Sequence, residues 1–230
     1  MQEWNKLIGN PELARIVADI TSDGHIQLKE WRGLTSFYSK DLEAINQSKN
    51  RFKYLFGIDG RTYIDNSYNR KRYKLFFISR PLAEFLVLAG VPKGNKTNKP
   101  FYIPRWILNG NKKIKSAYLQ GIFTAEGSIF STRQKDNDVR WRIGIEFYKW
   151  TKYNKEGKQF LNQIKNLLIQ FRIKSSPVRY GRTNLRKDGT KSIAVKLDIE
   201  KSSFSNFYKY ISFDDPKKNA ILQQVLSEQI

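Results

Sequence analysis

Residues 117–127 read Ala-Tyr-Leu-Gln-Gly-Ile-Phe-Thr-Ala-Glu-Gly, and residues 14–24 read Ala-Arg-Ile-Val-Ala-Asp-Ile-Thr-Ser-Asp-Gly. The two stretches superpose without a gap at an offset of 103, which pairs Ala14 with Ala117, Ala18 with Gly121, Ser22 with Ala125 and Asp23 with Glu126. Small residues recur at every fourth position of each copy, and residues four apart share one face of a helix. Each copy is therefore expected to form a helix with a bare stripe, along which two backbones can approach closely. We expect the two copies to pack on each other through those stripes. Each helix then ends in an acid followed by glycine, Asp23-Gly24 and Glu126-Gly127, and the packing would set the two carboxylates side by side.

Working outward from the first copy, Leu13, Ile16, Val17 and Ile20 follow the i, i+3, i+4, i+7 pattern of a helix of about three turns. Residues 25–31 alternate as a strand does, and residues 34–40 give a second strand. Asp41 is placed to cap a helix reaching Phe56, with Leu42, Ile45, Phe52 and Leu55 as its inward face. A hairpin of residues 61–64 and 72–78 follows, then a helix over 82–89 opened by Pro81. After Gly127 the series starts again: strands over 128–133 and 139–148, a helix over 158–171, strands over 178–182 and 192–199, and helices over 204–211 and 217–226. Gly60-Arg61-Thr62 returns as Gly181-Arg182-Thr183, and Ile78 as Ile199, both at an offset of 121. The offset grows through the turn at 134–138 and through 150–157 and 174–177, read as loops where insertions do little harm. The expected fold class is α+β, two pseudo-symmetric αββαββα halves in one chain. The halves are assigned to residues 1–105 and 116–230, with 106–115 as a linker inside the Pro- and Gly-rich stretch 90–115.

Lys and Arg number 42 against 21 acids, a formal charge of +21, and aromatic residues make up 14% of the chain. Such an excess calls for a polyanionic partner, and nucleic acid is the leading one. No apolar run has transmembrane length, so a membrane partner is not expected, and the N-terminus carries no secretion signal. An intracellular location follows as the simplest expectation: the cytoplasm or nucleoid of a prokaryote, or an organelle matrix. Cysteine is absent and His25 is the only histidine. Structural zinc and Cys or His nucleophile systems are thereby excluded, and a catalytic metal would have to be held by carboxylates.

A carboxylate at a helix C-terminus faces the negative end of the helix dipole, a penalty that a bound divalent cation reverses. Asp23 and Glu126, with the carbonyl oxygens of Ser22 and Ala125, make a hard-oxygen donor set suited to Mg²⁺. We expect Mn²⁺ to substitute for it and Ca²⁺ to bind without supporting its chemistry.

Residues 16–24 and 119–127 each resemble the nonapeptide of the LAGLIDADG homing endonucleases, in its single-chain, two-motif form. The first copy departs from the pattern in carrying Ala18 where the family often has a packing glycine. The resemblance implies curved antiparallel sheets that form a DNA-binding saddle, with the motif helices packed at its centre. It further implies a site-specific endonuclease that cuts both strands of duplex DNA across the minor groove and leaves short 3′ overhangs. By position it also points to Lys40 and Lys149, near the ends of the second strand of each half, as water-organising side chains, and to Lys96 and Lys218 as active-site lysines. A monomer without an obligatory protein partner is expected. The alternative is a non-cleaving nucleic-acid binder of the same fold, an intron RNA maturase or a DNA-binding regulator.

Strand residues facing away from the core are the candidate DNA readers. In the first half they are His25, Gln27, Lys29, Trp31, Arg32, Ser36, Arg61, Tyr63, Arg70, Arg72 and Lys74. In the second they are Ser128, Phe130, Thr132, Gln134, Arg140, Arg142, Glu146, Arg179, Arg182, Asn184 and Lys191. Arg and Lys suit guanine, Gln and Asn suit adenine. The two sets differ residue by residue, which predicts an asymmetric, non-palindromic target.

Overall fold

Asn10 accepts a hydrogen bond from the Glu12 amide at 2.7 Å, and Pro11 at the first helical position has no amide hydrogen to leave unpaired, so the first helix starts sharply. A computed structural model describes residues 2–66, 71–133, 139–186 and 188–228. Helix α1 (Pro11–Asp23) is buried without a break from Leu13 to Ser22, and an ion pair between Arg15 and Asp19 at 2.8 Å is buried with it. Gly24 then opens strand β1 (Gly24–Leu28) with no connecting residue. A hairpin leads into β2 (Gly33–Ser39) and on to α2 (Leu42–Phe56), capped by the Asp41 side chain on the Glu43 amide at 3.0 Å and closed by Gly57 in the left-handed region at φ 66°. Strands β3 (Arg61–Asp65) and β4 (Arg72–Ile78) and helix α3 (Arg80–Leu88) complete the series.

These strands form one antiparallel sheet in the order β1-β2-β4-β3. Its inner face presents Ile26, Phe37, Leu75 and Phe77 to the helices, and Phe52 of α2 stacks on Phe77 with ring centroids 4.2 Å apart. The buried stripe of α2 is Ile45, Ser48, Phe52 and Phe56, a run of spacings of three and four. Leu42 lies outside it and is exposed, and Phe56 takes the place expected for Leu55.

The chain divides into two compact units, Met1–Asn95 with Pro104–Tyr118 and Lys96–Ile103 with Leu119–Ile230. The stretch between the halves is thus interleaved, and residues 106–115 carry much of α4 (Arg105–Leu108) and the start of α5 (Lys112–Glu126). In the first unit the Trp106 indole donates to the Ala89 carbonyl at 2.9 Å. In the second, the Ile103 amide donates to Gln163 at 2.9 Å and Phe101 packs edge-on to Phe160.

The second unit repeats the winding. After α5 come β5 (Gly127–Arg133), β6 (Val139–Trp150), α6 (Asn154–Ile169), β7 (Arg179–Leu185), β8 (Lys191–Ile199), α7 (Phe204–Tyr210) and α8 (Pro216–Ser227). The sheet order is β5-β6-β8-β7, the order of the first sheet. Two local differences appear. Residues 150–157 are partly helical, a 3₁₀ turn over Thr151–Tyr153 running into α6. Gly181 sits in a β-bulge between Tyr180 and Thr183, whereas Gly60 precedes its strand. No helix among the described residues is long and apolar enough to cross a membrane.

Lys149 is the one interior lysine of β6. Residues alternate across a strand, and Lys149 follows Ile143, Ile145 and Phe147 onto the inner face, where it is 2% exposed. Its ammonium nitrogen donates to the carbonyls of Lys96 (2.5 Å) and Lys99 (2.9 Å) and lies 3.6 Å from the centre of the Phe101 ring. Gly157 makes room for its stem, because a Cβ there would lie 2.9 Å from Lys149 Cγ. The buried side chain thus fastens the crossover segment 96–101 to its sheet. Burial, reinforced by the charge of Lys96 and opposed by Glu156, pushes the Lys149 amine down to about 7.

Gly24 and Gly127 are required by space. Gly24 has an ordinary φ of −109°, yet a Cβ there would lie 2.6 Å from Ile20 Cα, and one on Gly127 would lie 2.2 Å from the Phe123 carbonyl oxygen. The strand leaves directly beneath the last helical turn. Gly127→Ala is expected to destabilise the fold by about 1–3 kcal/mol, read from urea unfolding; an unchanged midpoint would contradict the close approach. The Lys149 shift gives a second expectation. Between pH 7 and the ordinary lysine value of 10.5 the unfolded chain binds more protons at this site than the folded one, so stability rises with pH there. The difference in unfolding free energy between wild type and Lys149→Met should therefore grow from pH 7 to pH 10, by up to about 1 kcal/mol per pH unit. A flat or falling difference in urea melts across that range would contradict it.

Candidate functional site

Asp23 is the last residue of α1 and is exposed, with Ser22 buried before it. Glu126 is the last residue of α5 and is half-buried, as is Ala125. In both units the acid is followed at once by the glycine that starts the first strand, Gly24 pairing with Phe37 and Gly127 with Ile145. A helix end on one side and a registered strand on the other leave the acid little freedom. The helix dipole makes each end a place that favours a cation.

At the second junction a cation is present. Asp215 caps α8 by accepting from the amides of Lys217 (2.9 Å) and Lys218 (3.1 Å). The Lys218 ammonium donates to the carbonyls of Thr124 (2.6 Å) and Gly127 (2.7 Å), which flank Glu126 in the chain. The Asp214 amide donates to the Thr124 hydroxyl at 2.9 Å and ties the same turn down. Lys218 is therefore brought to the Glu126 junction. Lys40 is exposed between β2 and the capping Asp41. Lys96 is half-buried at a 3₁₀ turn, Lys96–Asn98, whose first carbonyl is held by Lys149. Lys149 itself faces inward, onto the carbonyls of Lys96 and Lys99.

The outer face of the first sheet gathers His25, Gln27, Arg61, Tyr63, Arg72 and Lys74, as the strand register requires. Lys74 lies 5.3 Å from the Tyr63 ring centre and 5.4 Å from that of Tyr38. Burial lowers the Lys74 amine, but hydrogen bonding to the Tyr63 and Tyr38 phenols and their charge raise it above its ordinary value. The Arg72 guanidinium lies 4.3 Å from the Tyr38 ring centre and pairs with Asp65 at 2.9 Å. Lys29, Trp31 and Arg32 form the turn between β1 and β2, where the Lys29 amide donates to the Arg32 carbonyl and Trp31 is 74% exposed. Ser36 pairs with His25 on this face but is itself buried. Arg70 and Gln134 lie outside the described residues.

The outer face of the second sheet carries Ser128, Phe130 and Thr132 on β5 opposite Gly144, Arg142 and Arg140 on β6. Asn184 and Lys191 are exposed on the β7–β8 hairpin. Here the basic groups are cross-linked by acids. Lys196 pairs with Glu146 at 2.5 Å, Arg179 pairs with Asp198, and Arg182 donates to the Tyr148 hydroxyl at 3.0 Å. Burial alone would raise the Glu146 carboxyl, but hydrogen bonds with Lys196 and Tyr148 and the charges of Lys196 and Arg182 hold it below its ordinary range. Tyr38, Tyr148, Lys196 and Asp198 escape the sequence reading. The alternation of β8, in which Lys196 and Asp198 interleave with buried Val195 and Leu197, is the signal that finds the latter two.

Residues 113–212 match the family model of the LAGLIDADG-like domain. Among curated proteins the chain is 28% identical to the tRNA-splicing ligase RtcB of Pyrococcus furiosus, over 90% of this chain and 22% of that protein. It is 27% identical to the replication factor C small subunit of Methanocaldococcus jannaschii, over 91% of this chain and 11% of that one. The chain thus spans about a fifth and about a tenth of the length of these two relatives. Three solved structures share its fold at a TM-score of 0.55. They are a variant of I-DmoI in complex with its nicked target DNA and manganese (16% identity, 87% of this chain and 94% of that one), the homing endonuclease I-WcaI bound to its DNA recognition sequence (14%, 96% and 91%), and full-length DUF199/WhiA from Thermatoga maritima (13%, 99% and 66%). With the LAGLIDADG-like domain model matched over residues 113–212 and the same sheet order wound twice, this chain resembles the LAGLIDADG proteins and has the two-domain α+β fold of the LAGLIDADG homing endonucleases.

Proposed function

We propose that this protein is a site-specific, divalent-metal-dependent DNA endonuclease that hydrolyses both strands of a long asymmetric duplex target across the minor groove, leaving short 3′ overhangs. The observation that carries the reading is the repeated junction of helix, acid, glycine and strand, Asp23-Gly24 and Glu126-Gly127, once in each unit. Asp23 and Glu126, with the Ser22 and Ala125 carbonyls, are the residues we propose to hold the metal; as hard oxygen donors, two of them charged, they suit Mg²⁺. When bound, the metal supplies an activated water and stabilises charge on the attacking and leaving oxygens. The protein's own part is to hold the acids, and at the Glu126 junction to offer the Lys218 ammonium toward negative charge that develops there. Lys40 and Lys96 are proposed to organise water or contact phosphate. Lys149 is proposed to act by holding the Lys96 turn in place.

The structural likeness to proteins described with bound target DNA supports a DNA partner, and a chain working alone as a monomer inside the cell is the simplest form of the reading. A tRNA-splicing ligase and a replication factor share almost nothing by name, yet each matches nine-tenths of this chain. That supports a transferable module whose activity is separate from theirs. The likeness to WhiA, as close as that to the endonucleases, supports a second reading as a DNA-binding regulator of the same fold.

Incubating the protein with a randomised duplex library in Mg²⁺ and sequencing the cut ends tests the first reading. We expect one long asymmetric site cut with staggered 3′ ends. Asp23→Asn and Glu126→Gln should each lower cleavage roughly 100-fold or more while Ca²⁺-supported binding persists. Enriched binding with no cut by the wild type would establish the regulator instead. Lys218→Met should lower the single-turnover cleavage rate by roughly 10-fold or more at saturating DNA, and an unchanged rate would remove Lys218 from the chemistry.

A further inference from the structure

We propose that Asp198 is a specificity-determining residue of the second unit, holding the guanidinium groups of Arg142 and Arg179 in one arrangement that reads guanine. The inference rests on the DNA-reading assignment of this face. An acid is out of place on a surface meant to meet phosphate, because it weakens the attraction that a strongly basic chain provides. Its presence calls for a task that outweighs that loss.

The backbone register gives Asp198 its position. It pairs with Gly144 across β6 and β8, and a Cβ at residue 144 would lie 2.6 Å from Asp198 Oδ1. The missing side chain leaves the carboxylate the space above β6. From there its Oδ2 accepts a hydrogen bond from Arg179 and lies 3.8 Å from Nη1 of Arg142. The second terminal nitrogen of Arg179 donates to Ser176 Oγ at 3.2 Å. That same hydroxyl oxygen accepts from the Asp198 amide at 3.1 Å, and the Ser176 amide donates to the Asp198 carbonyl at 2.8 Å. Arg179 is thus fixed at both ends of its fork by partners that are fixed to each other. The acid lies below and the arginines above: the Asp198 side chain is 19% exposed, those of Arg142 and Arg179 43% and 45%. Between them lies a cleft of about 90 Å³ that Ser128 and Phe130 also line.

A free arginine follows phosphates wherever they run and carries no sequence information. One held from below presents its remaining donors in a fixed direction and loses less freedom on binding. Two acceptors side by side on a base edge, O6 and N7 of guanine, suit the N–H groups of the guanidinium that Asp198 and Ser176 leave unused. The carboxylate beneath also disfavours a phosphate in the same place, which adds a penalty against the wrong ligand.

Selecting bound duplexes from a randomised library in Ca²⁺, with the full chain, tests this directly. The wild type should enrich one site, and Asp198→Asn should lose guanine enrichment by roughly 10-fold at one or two adjacent positions while other positions stay enriched. Binding to non-selected DNA should become more salt-dependent, as two cations are released to phosphate. Equal guanine enrichment in wild type and Asp198→Asn would overturn the role of Asp198 and leave the DNA-reading assignment standing. A wild type that enriches no sequence would overturn both. If Asp198→Asn fails to give a cooperative melt, Arg142→Lys and Arg179→Lys decide the matter. Each keeps the charge without the fork, so guanine enrichment should fall there too, and its retention in both would overturn the proposal.

Discussion

The negative pole of a helix is a poor place for a carboxylate, yet α1 and α5 both end in one, with no loop to carry it away. The glycine that follows makes this arrangement rigid. Gly24 and Gly127 let the strand depart within van der Waals reach of the last helical turn, where any side chain would strike Ile20 or Phe123. Pairing of Gly24 with Phe37 and of Gly127 with Ile145 then sets the strand's register. The backbone of the acid is set from both sides by main chain, and at Glu126 the turn is tied down further by Lys218 and Thr124. Such a junction favours a cation, as the Lys218 ammonium at the second one illustrates.

Three lysines of the second unit show how differently one charge can be used. Lys218 emerges from the capped start of α8 and sits on carbonyls at the end of α5, where the helix dipole favours a positive charge. Lys149 is buried and finds two carbonyls and an aromatic face, acceptors that favour an ammonium but carry no full negative charge to offset its burial. Desolvation wins there, which is why its proton is held weakly. Lys196 lies on the outer face and is matched to Glu146. A chain with so many basic groups uses some as field, some as structure and some as fixed donors.

The doubled motif made the architecture legible, because helix periodicity, capping residues and strand alternation are local properties: Asn10, Asp41 and Gly57 act where their types suggest. The acids were legible for the same reason, since each is tied to a helix end. What the sequence concealed is non-local. Lys149 looks like any lysine near a strand end until its parity with Ile145 and Phe147 is counted and the segment 96–101 is seen to arrive over it. Ser36 sits on the expected face yet is covered. The alternation of β8 marks Asp198 as outward-facing, but its role depends on the bare backbone of Gly144 on a neighbouring strand and on Ser176 far along the chain, which no local pattern shows. The interleaving of Lys96–Ile103 with the second unit has no sequence period to betray it.

The two sheets share a winding order but restrain their cations by different physics. On the first, Lys74 lies among the rings of Tyr38, Tyr63 and Phe76, and Arg72 lies over Tyr38. An aromatic face orients a cation without cancelling its charge, so the field above it still reaches phosphate until salt screens it over about 8 Å. On the second, Glu146 and Asp198 orient Lys196, Arg142 and Arg179 and cancel much of their charge as they do so. What remains is short-ranged and directional, felt only by a group placed against the donors. Arg72 stands between the two regimes, since Asp65 also binds it. The duplicated unit has thus diverged in how it restrains its cations; on the proposed reading, attraction at a distance is weighted to the first sheet and discrimination at contact to the second. On the proposed reading, an asymmetric target is the expected complement of two sheets that restrain their cations so differently.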